Sequence, residues 1–133
     1  MTIFDIEIAK RFKDIDPYNH VSNAIYPDLI MEARIRMYRR MGLNERAAGE
    51  QVVVNQEVTY REPIEYDLDP LRIETWVSHV GRTSYSVHFR IHDGPRVAAD
   101  ARTVMVCFDV ATGKSRSIPE DFKKVLQQHL HTL

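Results

Sequence analysis

The sequence predicts an α+β domain in which an antiparallel sheet of about five strands wraps around one long helix. Three observations lead there. Apolar residues alternate over the first dozen positions, recur about every fourth residue over 24–41, then alternate again to about position 110. One change of period means one long helix set among strands. The later strand-like segments are separated by short breaks, Gly81-Arg82 and Asp93-Gly94-Pro95, which suit antiparallel hairpins. No repeat, low-complexity stretch or linker interrupts the 133 residues, so 1–133 reads as one domain.

The first strand lies within Thr2–Phe12, with Phe4, Ile6, Ile8 and Phe12 on one face and Asp5, Glu7 and Arg11 on the other. Lys13 to Ser22 has no period and reads as a loop. In the helix Ile25, Leu29, Ala33, Met37 and Met41 form an apolar stripe, flanked by Arg34, Arg36, Arg39 and Arg40. Ser22 or Asn23 supplies the cap and Gly42 the stop. Pro27 removes an early N–H, so either the first turn is irregular or the regular helix begins near Pro27. Val52, Val54, Val58 and Tyr60 alternate with polar residues, as do Leu71, Ile73 and Val77, then Tyr85, Val87, Phe89 and Ile91. Val97 to Val110 is a long last strand, and Ser117-Ile118-Pro119-Glu120 carries the capping-box pattern of a short final helix with Phe122, Leu126 and Leu130 on one side. The economical packing lays the long helix across the concave face of the sheet.

Composition narrows the function classes. Hydrophobic residues make up 44%, enough for a core, and charged residues 28%. A net charge of −1 gives no electrostatic basis for binding nucleic acid. The first residues carry acids within their apolar stretch, unlike a signal peptide, and no apolar run is long enough to span a bilayer; a cytoplasmic protein is the expectation. The one cysteine, Cys107, sits in an apolar run and is expected to be buried and inert. His20 has no second His or Cys at ligand spacing, so no metal site is expected with Asp14 and Asp16. The histidines at 79, 88, 92, 129 and 131 form no constellation and read as surface residues.

The stretch Arg11-Phe12-Lys13-Asp14-Ile15-Asp16-Pro17-Tyr18-Asn19-His20-Val21-Ser22-Asn23-Ala24-Ile25-Tyr26 resembles the signature of the 4-hydroxybenzoyl-CoA thioesterase family of hotdog-fold proteins. That signature has an Asp-x-Asp pair, a Gly-His-Val-Asn-Asn-like segment and a Tyr, followed by a helix with a Glu-Ala-Arg-like triplet, here Glu32-Ala33-Arg34. The likeness continues in Tyr60-Arg61-Glu62-Pro63, Gly81-Arg82-Thr83-Ser84-Tyr85 and Asp109-Val110-Ala111-Thr112-Gly113-Lys114, and so covers nearly the whole chain. Three departures stand out: Asn19 replaces the usual Gly, Ser22 replaces the first Asn, and Leu68-Asp69-Pro70 replaces a Gly-Asp turn.

The resemblance implies a hotdog fold and hydrolysis of acyl-CoA to free acid and coenzyme A. Thioester hydrolysis needs a base or nucleophile near the carbonyl carbon and a donor for the developing oxyanion. Asp16 matches the family's base or nucleophile, and a backbone N–H near Asn23, at the positive end of the helix, matches the donor. Asp14 and Asp16 read without the resemblance are plain turn-forming acids. His20 and Tyr26 would support the loop, and Glu32 would hold the loop or the opposing subunit, or stand in as catalytic acid. Tyr18, Ile25, Leu29 and Tyr60 would line the acyl group. Arg82, Ser84 and Arg116 would bind CoA, the two arginines at its phosphates, with a solvated salt-bridging role as the alternative for each arginine. No cofactor is implied, since coenzyme A is part of the substrate. The resemblance also implies a homodimer with edge-to-edge sheets and sites at the subunit interface, either alone or paired again into a tetramer. An acyl-carrier-protein thioesterase and a non-catalytic acyl-CoA-binding protein are the alternatives.

Overall fold

The computed structural model describes residues 2–131. Five strands form one antiparallel sheet: β1 (Phe4–Ile8), β2 (Gln51–Tyr60), β3 (Leu71–Val80), β4 (Ser84–Asp93) and β5 (Arg96–Asp109). Their spatial order is β1-β3-β4-β5-β2, and the short β6 (Lys114–Ser115) folds back onto β5. Period two decides which side of each strand is inside. Tyr85, Val87, Phe89 and Ile91 of β4 are buried, as are Leu71, Ile73 and Thr75 of β3 and Ala99, Ala101, Thr103 and Met105 of β5.

Against this inner face lies α1 (Tyr26–Arg40), whose Tyr26, Ile30, Ala33 and Met37 are almost completely buried. The 3-10 turn Asn23–Ile25 precedes α1, and Pro27 falls in its first turn, where an N–H has no intrahelical acceptor. Both options left open by Pro27 are therefore realised: an irregular entry and a regular helix starting beside it. Gly42, at φ +78°, ends the helix in the left-handed region that favours glycine. α2 (Glu120–Gln128) packs Phe122 against Tyr38 and Tyr85, at ring-centroid distances of 5.8 and 5.9 Å.

Four expectations are corrected. Phe12 does not continue the face of β1; it sits in a 3-10 turn, Phe12–Asp14, and is 74% exposed. The alternation of Val52 and Val54 does not mark a buried face, because β2 is an edge strand; Val52, Val53 and Val54 are 41–57% exposed. A bulge between Val53 and Asn55 shifts the pairing with β5 there and breaks the alternation the valines displayed. Ser117 does not cap α2: Pro119 occupies the cap position without a side-chain bond, and the Ser117 hydroxyl receives Arg82.

Of the five histidines read as surface residues, His79 is exposed and the other four are not simple surface residues. His92 pairs with Glu74, His129 with Thr2, and His131 presents its edge to Trp76 with both ring nitrogens buried. His88 faces Trp76 across the β3–β4 pair and stacks on it at 5.6 Å. Cys107 is buried as expected, and burial pushes its thiol up.

Burial, reinforced by Arg102, holds the His88 imidazole below the ordinary value of 6.5. The unfolded chain therefore takes up a proton that the folded one resists. Stability present above pH 6.5 should fall as pH drops through the native His88 value. An NMR titration should place that value below 6.5. Fluorescence of the single tryptophan should change over the same interval, and His88→Phe should remove the response.

Candidate active site

The loop between β1 and α1 is built by its own polar groups. Asp14, 8% exposed, accepts Arg11 through Nε at 2.8 Å and Nη2 at 3.1 Å, and its carbonyl accepts the Ser22 N–H at 2.9 Å. Asp16 forms a turn: its Oδ1 accepts the N–H groups of Tyr18 (2.9 Å) and His20 (3.1 Å), and its own N–H donates to the His20 carbonyl (2.8 Å). Only Oδ1 is engaged; Oδ2 meets no donor among the described residues. Asn19 sits at φ +65°, a conformation in which asparagine is among the few tolerated side chains, so it keeps the turn that glycine would make. Val21 donates to the Ile64 carbonyl, and His20 bridges Glu65, fastening the loop to the segment after β2. That segment is held from below by Lys10, which donates to Asp67, Asp93 and the Glu65 carbonyl, each at 2.8 Å.

The turn delivers the chain to the helix entry. The Ser22 hydroxyl accepts the Ala24 N–H at 3.3 Å and its carbonyl accepts the Ile25 N–H at 2.9 Å. Serine thus caps where the family has asparagine. The Asn23 N–H has no acceptor among the described residues, and it lies at the positive end of the helix. A cleft of about 220 Å³ opens beside it, lined by Asn23, Tyr26, Tyr60, Arg61, Glu62 and Pro63. The Tyr60 hydroxyl donates to the Asn23 carbonyl at 3.4 Å, and its ring meets Tyr26 edge to face at 4.8 Å. Desolvation pushes the Tyr26 phenol up to about 12, so it stays protonated at neutral pH.

The other sequence-predicted residues do not gather here. Tyr18 is 80% exposed. Glu32 is bonded to Arg36 at 2.7 Å, and Arg36 donates to the Glu7 carbonyl, so the pair faces β1 and a groove of about 520 Å³ beside it. Arg82 and Ser84 lie where β3 turns into β4, opposite Val106 of β5, while Tyr60 and Asn23 lie by Ala99 at the other end. The intervening strand length is roughly 23 Å. Arg116 shares the distant end and is occupied. Its Nε donates to the Phe108 carbonyl, Nη1 to that of Ser117, and Nη2 to those of Ala48 and Glu50, leaving one N–H of five. The sequence reading of Arg116 as a phosphate ligand is thereby opposed by a structural task, clamping the entry of β2. Arg61 lines the same cleft as Asn23 and bonds Asp100 through Nε; it stands in the Tyr60-Arg61-Glu62-Pro63 motif, but nothing in the strand pattern marks its position. Among the described residues no cluster of His, Cys, Asp or Glu could hold a metal, and no helix is long and apolar enough to cross a membrane.

A curved antiparallel sheet wrapped around one long helix defines the hotdog fold. The profile of the Thioesterase-like superfamily matches residues 11–126, and the chain belongs to that family. It is 25% identical over 133 residues to a 1,4-dihydroxy-2-naphthoyl-CoA hydrolase of Synechococcus elongatus, covering 96% of this chain and 97% of that one. A Thermus thermophilus thioesterase solved with coenzyme A and zinc superposes with a TM-score of 0.80 at 27% identity, over 93% and 92% of the two chains. The probable thioesterase YbaW of Escherichia coli superposes at 0.75 with 28% identity, over 96% and 98%.

Gly49 shows how tightly the Arg116 clamp is set. Its φ is +68°, and a Cβ there would stand 2.3 Å from Arg116 Nη2. Gly49→Ala should therefore destabilise by about 2–3 kcal/mol, combining backbone strain with displacement of the clamp. Arg116→Ala should cost a comparable amount through its lost charge-assisted bonds, about 2–3 kcal/mol. The double variant should be clearly less than additive in urea unfolding.

Proposed function

We propose that this chain hydrolyses acyl-CoA thioesters at a site shared by two copies: the Asp16 turn and Asn23 N–H of one, and the Arg82–Ser84 turn of the other. Two unspent groups carry the catalytic half, one in the loop before the helix and one at its entry. Asp16 has one carboxylate oxygen fixed by two N–H groups and the other free, and the Asn23 N–H, seven residues on, has no acceptor among the described residues. An N–H at the positive end of a helix is suited to the oxyanion of a tetrahedral intermediate.

The chemistry balances simply. Oδ2 either attacks the carbonyl carbon, expelling the CoA thiolate and leaving an anhydride that water cleaves, or it takes a proton from the water that attacks. Either route consumes one water and yields the acid and the thiol. Tyr26 and Tyr60 give the cleft an aromatic wall. Together with the hydrolase relative acting on a naphthoyl-CoA, this puts aryl-CoA thioesters first among candidate substrates.

Two copies are invoked because Arg82 and Ser84 stand at the wrong end of their own sheet to reach a CoA whose thioester lies at Asn23. An antiparallel partner joined at the open β2 edge would present its own turn at the right end. Arg82 is exposed and bonds Ser117 at 3.2 Å, a contact a phosphate can displace.

In a thiol-release assay over an acyl-CoA panel, Asp16→Asn should lower kcat by roughly two to four orders of magnitude with KM little changed. Asp14→Asn is the matched control; it should loosen the Arg11 pair and cost stability more than turnover. Near-normal turnover of Asp16→Asn would remove Asp16 from the mechanism.

The shared site makes a separate demand. Asp16→Asn and Arg82→Ala should each be poorly active alone, yet recover activity when co-refolded, because one site of each mixed dimer contains neither substitution. Absence of recovery in confirmed mixed dimers would place both residues in a single-chain site.

A further inference from the structure

We propose that the guanidinium of Arg34 is completed by a hydrogen-bond acceptor from a second copy of this chain, delivered across the open edge of β2, so that assembly satisfies a buried N–H the single subunit leaves unpaired. The proposal rests on the two-chain reading above and assigns it a residue that lies outside the catalytic turn.

Arg34 projects from α1 with 8% of its surface exposed, and its Nε is buried without an acceptor among the described residues. The polar groups around it are Tyr38, Tyr85 and, through Tyr85, Gln51: the two phenols bond each other, and the Tyr85 hydroxyl donates to Gln51 Oε1 at 2.7 Å. None offers a negative charge. Burial holds both phenols above their ordinary value, so they remain neutral, and Gln51 is an amide. A buried N–H of a charged group left without an acceptor is unfavourable, and no described residue supplies one to Nε; a second copy can.

The position of the cluster says where from. Gln51 opens β2, the strand that ends the sheet order, and Val52, Val53 and Val54 follow it at 41%, 45% and 57% exposure. A long, apolar, unpaired edge is the form a strand takes when another strand completes it. Two identical edges pair antiparallel about a twofold axis, so each copy meets the same patch of the other. The polar cluster at the start of β2 then lies against the second copy. A small anionic ligand is the rival occupant, and the turnover arm of the test separates the two.

The test measures sedimentation and thermal unfolding over a range of protein concentrations for wild type, Arg34→Met and Arg34→Lys, with butyryl-CoA and succinyl-CoA turnover in parallel. The wild type should be dimeric. Arg34→Met, which keeps the stem and removes the charge, should weaken dimerisation about tenfold or more. Diluted to monomer, it should unfold at the same temperature as monomeric wild type or higher, because it no longer buries an unpaired N–H. Arg34→Lys should fall between, and carries the same criterion if Arg34→Met does not fold. A folded Arg34→Met with unchanged dimer affinity overturns the proposal while leaving the two-chain reading intact. Unchanged affinity with lost discrimination between succinyl-CoA and butyryl-CoA would overturn it in favour of a ligand carboxylate. A monomeric, active wild type would remove the two-chain reading and this inference together.

Discussion

Burying one face of α1 against the inner face of the sheet is the constraint on which the other features depend. Tyr26, Ile30, Ala33 and Met37 recur at helical spacing and lose essentially all contact with water. The sheet answers with alternating residues on β3, β4 and β5, several of them small: Ala99, Ala101 and Thr103. Small residues let the helix approach closely, and Thr75 comes near enough to bond the Met37 sulfur at 3.6 Å. Once the helix axis is fixed, both its ends are fixed. The C-terminal end is closed by Phe122 of α2. The N-terminal end emerges beside the turn made by Asp16, and the free Asn23 N–H is a result of that packing.

Most of this was legible because the period of apolar residues is a direct consequence of which side of an element faces inward. The one switch to helical spacing located α1, and the alternation on β3 and β4 located the sheet's inner face. The failures share a cause. Val52 and Val54 look like core residues because periodicity reports that a strand is apolar, not that anything covers it; β2 became an edge through chain order, which no local pattern encodes. Phe12 extended a correct alternation past the point where a 3-10 turn had ended the strand. Ser117 satisfied a capping pattern whose geometry Pro119 preempted.

At the candidate site, residue types were legible and their assembly was not. The turn around Asp16 follows from side chains that bond neighbours two and four positions away, and such local bonds are encoded locally. The replacement of glycine by Asn19 is harmless for the same reason, since both residues reach the required φ. Arg82 and Arg116 are another matter. Both are cations near chain turns, yet one is exposed and the other spends four N–H groups on backbone carbonyls. That difference depends on residues about 60 to 70 positions away, at Ala48 and Glu50, and no window of sequence contains it.

The meeting of Gly49 with Arg116 carries a lesson about inheritance. The guanidinium fills the volume that a side chain at position 49 would occupy. Neither residue is then free to drift alone. A lineage that gains a side chain at 49 has to shorten or redirect the residue at 116, and one that loses the arginine relaxes the demand for glycine. These two positions, far apart in the chain, should change hands together among descendants of this fold, and their joint state would date the point at which the entry to the edge strand was rebuilt.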